Sequence, residues 1–225
     1  MKSGLIYLLS LVLMSVVANC NKPAKEPALQ TINQVTGAAK IVGGGCEGCE
    51  LMYEEMPDTI LPEHTGIGWT EGRQKLVLTG KVLQLNSKTP AADVVVYYWH
   101  TNDQGLYSYN NQTPAQAREH GAYRGWVKTA IDGKYAIRTS RPAAYPKEAI
   151  PQHIHLSIKE PDVPNEYHAD LYFDDDPLYL QHQKKYGKQD RAGNEILKTL
   201  GDNDVQIAEH NIILGLNIPD YPKKK

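Results

Sequence analysis

Pro151-Gln152-His153-Ile154-His155-Leu156-Ser157-Ile158-Lys159 is the stretch on which the reading of this chain turns. Ile154, Leu156 and Ile158 alternate with His153, His155, Ser157 and Lys159, the period of two that marks a β-strand with one buried face. Two residues apart on a strand, the imidazoles of His153 and His155 point the same way at a spacing of roughly 6.5–7 Å. They can therefore reach one metal ion, and neutral imidazole suits iron, zinc and copper alike. Taken alone, the same pattern fits two surface histidines on a polar strand face.

Other segments share the strand pattern. Residues 76–85 are β-rich with Gly80 interrupting them, which predicts a strand with a bulge. Residues 94–99 form a continuous apolar run, as a strand covered on both faces requires. Asp132-Gly133 precedes the alternating Tyr135, Ile137 and Thr139 and marks a hairpin-type turn. Residues 167–173 and 205–216 supply further strands, and residues 177–187 the main helical segment. Short strands at this spacing predict an all-β chain, an antiparallel β-sandwich with a short helical excursion.

Composition bounds what such a sandwich does. The 225 residues carry 24 Lys plus Arg against 26 Asp plus Glu, a formal charge of −2, without the basic excess of a duplex-binding protein, so no nucleic-acid partner is expected. Hydrophobic residues at 41% and charged residues at 22% are ordinary globular usage, and the length supports one substantial domain or at most two small ones. The aromatics are lopsided, with 14 Tyr against 3 Trp and 1 Phe. A tyrosine brings a hydroxyl and a potential phenolate ligand, which phenylalanine does not.

The N-terminus reads as an address. Lys2 precedes an apolar run over residues 5–18, the length of a signal-peptide core and too short to span a bilayer comfortably. Val17-Ala18-Asn19-Cys20 resembles a bacterial lipoprotein signal, so residues 1–19 are expected to be removed and Cys20 lipidated. Residues 20–45 then form a tether and residues 46–225 the domain, at the cell envelope, on the outer membrane or cell surface. Cys46 and Cys49 form C-x-x-C; outside the cytosol a structural disulfide is favoured, ahead of a metal site or a redox pair.

The histidine pair has company. Upstream stand Trp99-His100-Thr101-Asn102-Asp103-Gln104-Gly105-Leu106-Tyr107-Ser108, then Arg124-Gly125, Asp132-Gly133-Lys134-Tyr135 and Arg141-Pro142-Ala143-Ala144-Tyr145-Pro146. In this order and spacing the chain resembles the intradiol ring-cleavage dioxygenases, the family of catechol 1,2-dioxygenase and protocatechuate 3,4-dioxygenase. The resemblance implies one non-haem Fe(III) held by Tyr107, Tyr145, His153 and His155, with Tyr145 and His153 axial. It also implies that a catechol chelates the iron and gives a proton to Tyr145. O2 then opens the ring between the two hydroxyl-bearing carbons, giving a muconate-type dicarboxylate. Two phenolates offset part of the charge of a ferric ion, and the ion in turn keeps them deprotonated.

Three positions depart from the family. Ile150 stands where an arginine usually precedes the Pro of P-x-H-x-H, Asp170 replaces a glutamine, and Tyr97 replaces an acidic residue. These changes touch the surroundings of the metal and not its ligands. Arg124 and Arg141 are the nearest cations in sequence to replace the arginine, and both are carried as catalytic candidates. Two other readings stay open: an envelope lipoprotein that binds iron or catechol without cleaving it, and a metal-free transthyretin-like module serving attachment or carbohydrate binding.

Overall fold

The structure is a computed structural model and describes residues 41–222 apart from residues 47, 87, 202 and 203. The stretches expected to form a signal segment and, up to residue 40, a tether, with Cys20 between them, lie outside the described residues. Val42, however, is buried in the main core and its N–H donates to the Asn165 side chain, so the packed fold already includes residues ahead of Cys46.

Two sheets make the fold. The first contains β1 (Glu63–Thr65), β2 (Lys75–Leu83), β5 (Lys134–Ser140), β9 (Thr199–Gly201), β10 (Val205–Glu209) and β11 (Ile212–Ile213). Its order is β1-β5-β2-β10-β9, with β11 also beside β2. The second runs in the order β4-β3-β6-β7-β8, from β4 (Arg124–Lys128), β3 (Val95–Trp99), β6 (His153–Lys159), β7 (Tyr167–Phe173) and β8 (Ile196–Leu197). One hydrophobic cluster joins them, with Leu76, Leu78 and Ile137 from the first and Val96, Ile154, Leu156, Leu171 and Phe173 from the second. α1 (Gly68–Glu71) is a single turn, and α2 (Tyr179–Tyr186) is the expected helical excursion. Among the described residues no helix is long and apolar enough to cross a membrane.

Three expectations are corrected. The sheets are mixed and not purely antiparallel: β1 with β5, β10 and β11 with β2, and β7 with β8 are parallel pairs. Long connections bring these late or early strands back alongside, which a local pattern does not encode. Gly80 marks no bulge, because β2 pairs with β5 in unbroken register from Lys75↔Ser140 to Lys81↔Lys134. A Cβ there would collide with the His210 carbonyl, so glycine permits close backbone approach. The Asp132-Gly133 turn, with Gly133 at φ 69°, carries the chain from β4 in one sheet to β5 in the other and does not close a hairpin.

β3 explains its own unbroken apolar run. Val96 and Tyr98 enter the main core, while Tyr97 and Trp99 form a second cluster with Cys49 and Met52 on the opposite face. Cys46, Cys49 and Met52 thus cover the outer face of the second sheet, and Cys46 is disulfide-bonded to Cys49.

Candidate metal centre

Strand register assembles the centre on that outer face. His155 lies opposite Trp99 on one side and Asp170 on the other, and His153 lies opposite Tyr172. The two tyrosines come from loops. Asn102 shapes the first, its side-chain oxygen accepting the Gln104 and Leu106 N–H groups. Gly105, at φ 75°, leaves no room for a side chain against the Ala144 carbonyl of the second loop. The Thr101 hydroxyl donates to the Ala143 carbonyl at 2.7 Å and further joins the loops. Tyr107 and Tyr145 are carried on them.

The four functional atoms form a closed ring. Tyr107 Oη is 2.6 Å from Tyr145 Oη and 2.9 Å from His155 Nε2. His153 Nε2 is 3.3 Å from Tyr145 Oη and 3.0 Å from His155 Nε2. His153 Nδ1 faces the Pro151 carbonyl at 2.7 Å, and a carbonyl only accepts, so the proton of the neutral ring sits on Nδ1. His155 Nδ1 lies 2.6 Å from the Asp170 carboxylate and donates likewise. With both rings neutral, as metal ligands must be, the two Nε2 atoms are bare lone pairs facing each other, and two phenol protons do not satisfy a ring of four such contacts. A cation bound by all four does.

The electrostatics agree with that donor set. Burial lowers the His153 pKa to about 4, which keeps its ring a neutral ligand. Burial, with the hydrogen bond to Tyr145, pushes the Tyr107 phenol up, and burial raises Tyr145 too. Phenolate formation is then coupled to cation binding, which releases the protons. Burial also pushes the Asp170 carboxyl up, but the hydrogen bonds from His155 and His168 outweigh it and hold that carboxyl well below the usual range. A carboxylate behind a histidine fixes its tautomer and raises its basicity as a ligand.

The two candidate arginines sit differently. Arg141 pairs with Asp175 through both Nη atoms, at 2.9 and 2.5 Å, and donates from Nε to Gln152 at 2.7 Å. Arg124 donates to the Glu54 carbonyl at 3.3 Å and reaches Tyr97 Oη at 3.5 Å. Tyr97, in place of the acidic residue, is fully buried and its hydroxyl meets His120 Nδ1 at 3.0 Å. His100 is buried and hydrogen-bonded to Thr101 and Thr139.

Two cavities flank the ring of donors. One of about 440 Å³ includes Tyr107, Tyr145 and Pro146 in its wall. The other, of about 370 Å³, is lined by Cys46, Trp99, His120, His155, His168 and Arg191 among others. Arg191 was not among the candidates read from the sequence. His168 shares with Asp170 the strand face that Tyr167-His168-Ala169-Asp170 alternates outward, whereas Arg191 follows α2 in a segment without a motif.

A family model described as dioxygenase matches residues 58–192, more than half of the chain. The chain belongs to the intradiol dioxygenase family. Catechol 1,2-dioxygenase 1 of Acinetobacter lwoffii is 44% identical to this family member over 70 residues, covering 31% of this chain and 22% of the relative. Chlorocatechol 1,2-dioxygenase of Pseudomonas sp. strain P51 is 37% identical over 76 residues, covering 33% and 28%. The matched stretches thus span less than a third of either relative. Among solved structures, the dioxygenase domain of a dioxygenase carbohydrate-binding protein fusion from Streptomyces sp. SirexAA-E superposes with a TM-score of 0.52 at 21% identity, covering 71% of this chain and 91% of that one. Hydroxyquinol 1,2-dioxygenase from Pseudomonas putida DLL-E4 does so with a TM-score of 0.51 at 22% identity, covering 70% and 62%. At these identities the likeness is one of fold.

Proposed function

We propose that this intradiol dioxygenase family member cleaves a catechol-type ring with O2 at a ferric ion held by Tyr107, Tyr145, His153 and His155. The observation that carries the reading is the pair of bare Nε2 atoms, 3.0 Å apart, inside a ring closed by two phenol oxygens. The names of the relatives, a catechol and a chlorocatechol 1,2-dioxygenase, support the substrate class. When bound, a ferric ion supplies a Lewis acid that draws electron density from a catecholate and opens its ring to O2. The carbon–carbon bond between the hydroxyl-bearing carbons breaks, each carbon gains one oxygen atom of O2, and the product is a muconate-type dicarboxylate. No external reductant enters that balance.

The chain's own groups bind, orient and move protons. Tyr145 Oη, half-buried beside Tyr107, would be held as a phenolate by the bound cation, and as such would be the base that accepts a proton from one catechol hydroxyl. Asp170 keeps His155 aimed, and the Pro151 carbonyl does the same for His153. Arg141 acts by position: it holds Gln152, the residue before His153, against Asp175. Arg124 orders Tyr97, and through it His120.

The same proposal places the domain outside the cytosol, anchored to the envelope through lipidated Cys20. The apolar run over residues 5–18 and the bonded Cys46–Cys49 pair, which suits an oxidising compartment, support it.

The test is the visible spectrum and iron content of the purified protein, with oxygen uptake on catechol. A red charge-transfer colour, about one iron per chain and uptake lost in Tyr145→Phe are the expected results. Protein that stays colourless after ferric reconstitution overturns the reading. Coloured protein that consumes no O2 with any catechol leaves an iron- or catechol-binding lipoprotein.

A further inference from the structure

Among the described residues that line the cavity beside His155 there is an arginine and no carboxylate. Arg191 lines it together with Trp99, His120, His155 and His168. Arg191 donates from Nε to the His168 carbonyl at 2.8 Å and from Nη2 to the Gly43 carbonyl at 3.0 Å. Five N–H donors belong to a guanidinium, so these two bonds fix its plane and leave the others. Among the described residues no carboxylate comes within ion-pair distance of it. Burial lowers its pKa; Asp170 acts against that from nearby, but this carboxylate is engaged by His155 and His168. Arg73, Arg138 and Arg141, by contrast, each pair with a carboxylate at 2.5–3.0 Å.

The backbone around Arg191 is built to hold it. Asp190 and Ala192, its two neighbours, both take left-handed conformations at φ 45° and 54°, which side-chain-bearing residues rarely adopt. Glu195 accepts the Gln189 and Asp190 N–H groups, Asn217 donates to the Gln189 and Asp190 carbonyls, and the Ala192 N–H donates to the Leu216 carbonyl. Such strain persists where the surroundings over-determine it, and here they determine where a half-buried cation stands. At the place of the usual arginine, Ile150 borders a different cavity, with Glu148, His182 and Tyr186.

We propose that Arg191 is the specificity-determining residue of this site, pairing with a carboxylate on the substrate so that acid-bearing catechols are preferred over neutral ones. The proposal rests on the intradiol reading for the catechol and on the cavity for the carboxylate. Trp99, 4% exposed and stacked on His120 at a centroid distance of 4.1 Å and on His155 at 4.8 Å, holds these two imidazoles in place along the cavity. The neighbouring His120 is held neutral, chiefly by burial, at a pKa of about 3, and Arg191 is the arginine that lines the cavity.

The experiment compares 3,4-dihydroxybenzoate with catechol as substrates of the iron-loaded full chain and of Arg191→Gln and Arg191→Lys. It also measures binding of 4-hydroxybenzoate against phenol by tryptophan fluorescence, which requires no turnover. A charge-assisted hydrogen bond predicts that kcat/KM and binding favour the acid by about 10-fold or more in the wild type. In Arg191→Gln that preference falls toward unity while kcat/KM for catechol itself holds within about twofold, and Arg191→Lys restores part of the preference. Equal treatment of acid and neutral ligand by the wild type, or an unchanged ratio in Arg191→Gln, overturns the proposal. If neither catechol is cleaved, the intradiol reading fails, and the benzoate-to-phenol binding ratio of the wild type alone decides for or against Arg191. That ratio also decides if Arg191→Gln does not fold.

Discussion

His153 Nε2 and His155 Nε2 face one another at 3.0 Å, each on a ring whose other nitrogen is committed to an oxygen acceptor. Two lone pairs in that position repel unless a cation lies between them. Adding ferric ion is therefore expected to raise the thermal midpoint, since a ligand that binds only the folded state stabilises it by mass action. His153→Ala removes one ligand and one of the opposed lone pairs together. It is expected to fold, to take up no iron tightly and to show no rise on ferric addition. Differential scanning calorimetry with and without the ion measures this, and an undiminished rise in His153→Ala would show that the ion binds elsewhere.

Asp170 stands behind the centre, with Oδ1 2.6 Å from His155 Nδ1 and 2.8 Å from His168 Nε2. Asp170→Ala leaves the four donor residues in place but frees the His155 ring to change tautomer and turn. Loss of such a supporting carboxylate typically costs about 10–100-fold in metal affinity. Competition against a chelator measures it, and Asp170→Asn, which keeps an acceptor oxygen without the charge, should fall between Ala and wild type. Equal affinity in all three would remove Asp170 from any role in the centre.

Gly80 tests the parallel pairing of β2 with β10. Its missing Cβ is the space occupied by the His210 carbonyl, whose residue's own N–H donates to the Thr79 carbonyl at 2.8 Å. Gly80→Ala must push β10 away from β2, and overpacking of this kind costs about 1–3 kcal/mol. Urea unfolding should show a lower midpoint at unchanged slope. A midpoint equal to wild type would mean that the two strands are not so closely apposed.

How far the sequence carried depended on whether the deciding contacts were local. β6 and β7 are legible to the residue, because Ile154, Leu156 and Ile158 and then Ala169 and Leu171 alternate with polar neighbours over a full strand. Tyr107 and Tyr145 are legible only as spacings that resemble a family, since in a chain with 14 tyrosines no single one stands out. The parallel partners are not legible: nothing near Val205 specifies that it lies opposite Lys75. Gly80 illustrates the ambiguity, because a bulge and a close approach demand the same residue. Arg191 was invisible for a related reason. Glu195 and Asn217 fix its loop, and neither forms a motif with it.

His210 gives the pH dependence of stability. It follows β10, is buried, and lies near Tyr135, whose hydroxyl donates to its carbonyl at 2.8 Å. Burial lowers its pKa to about 4, whereas a histidine in an unfolded chain titrates near 6.5. Between those values the unfolded chain holds a proton that the folded chain does not, so stability rises with pH across this window. The contribution is complete above about pH 6.5 and is lost as pH falls toward 4, by about 1.4 kcal/mol per pH unit. Other buried histidines, His100 among them at about 4, add to the same slope, so the variant is compared with wild type at each pH. His210→Gln loses packing at every pH but removes one titrating group. The wild type is expected to lose about 2 kcal/mol more than His210→Gln between pH 7 and pH 5. Urea unfolding at the two pH values measures the difference, and equal losses would mean that His210 is already protonated in the folded chain.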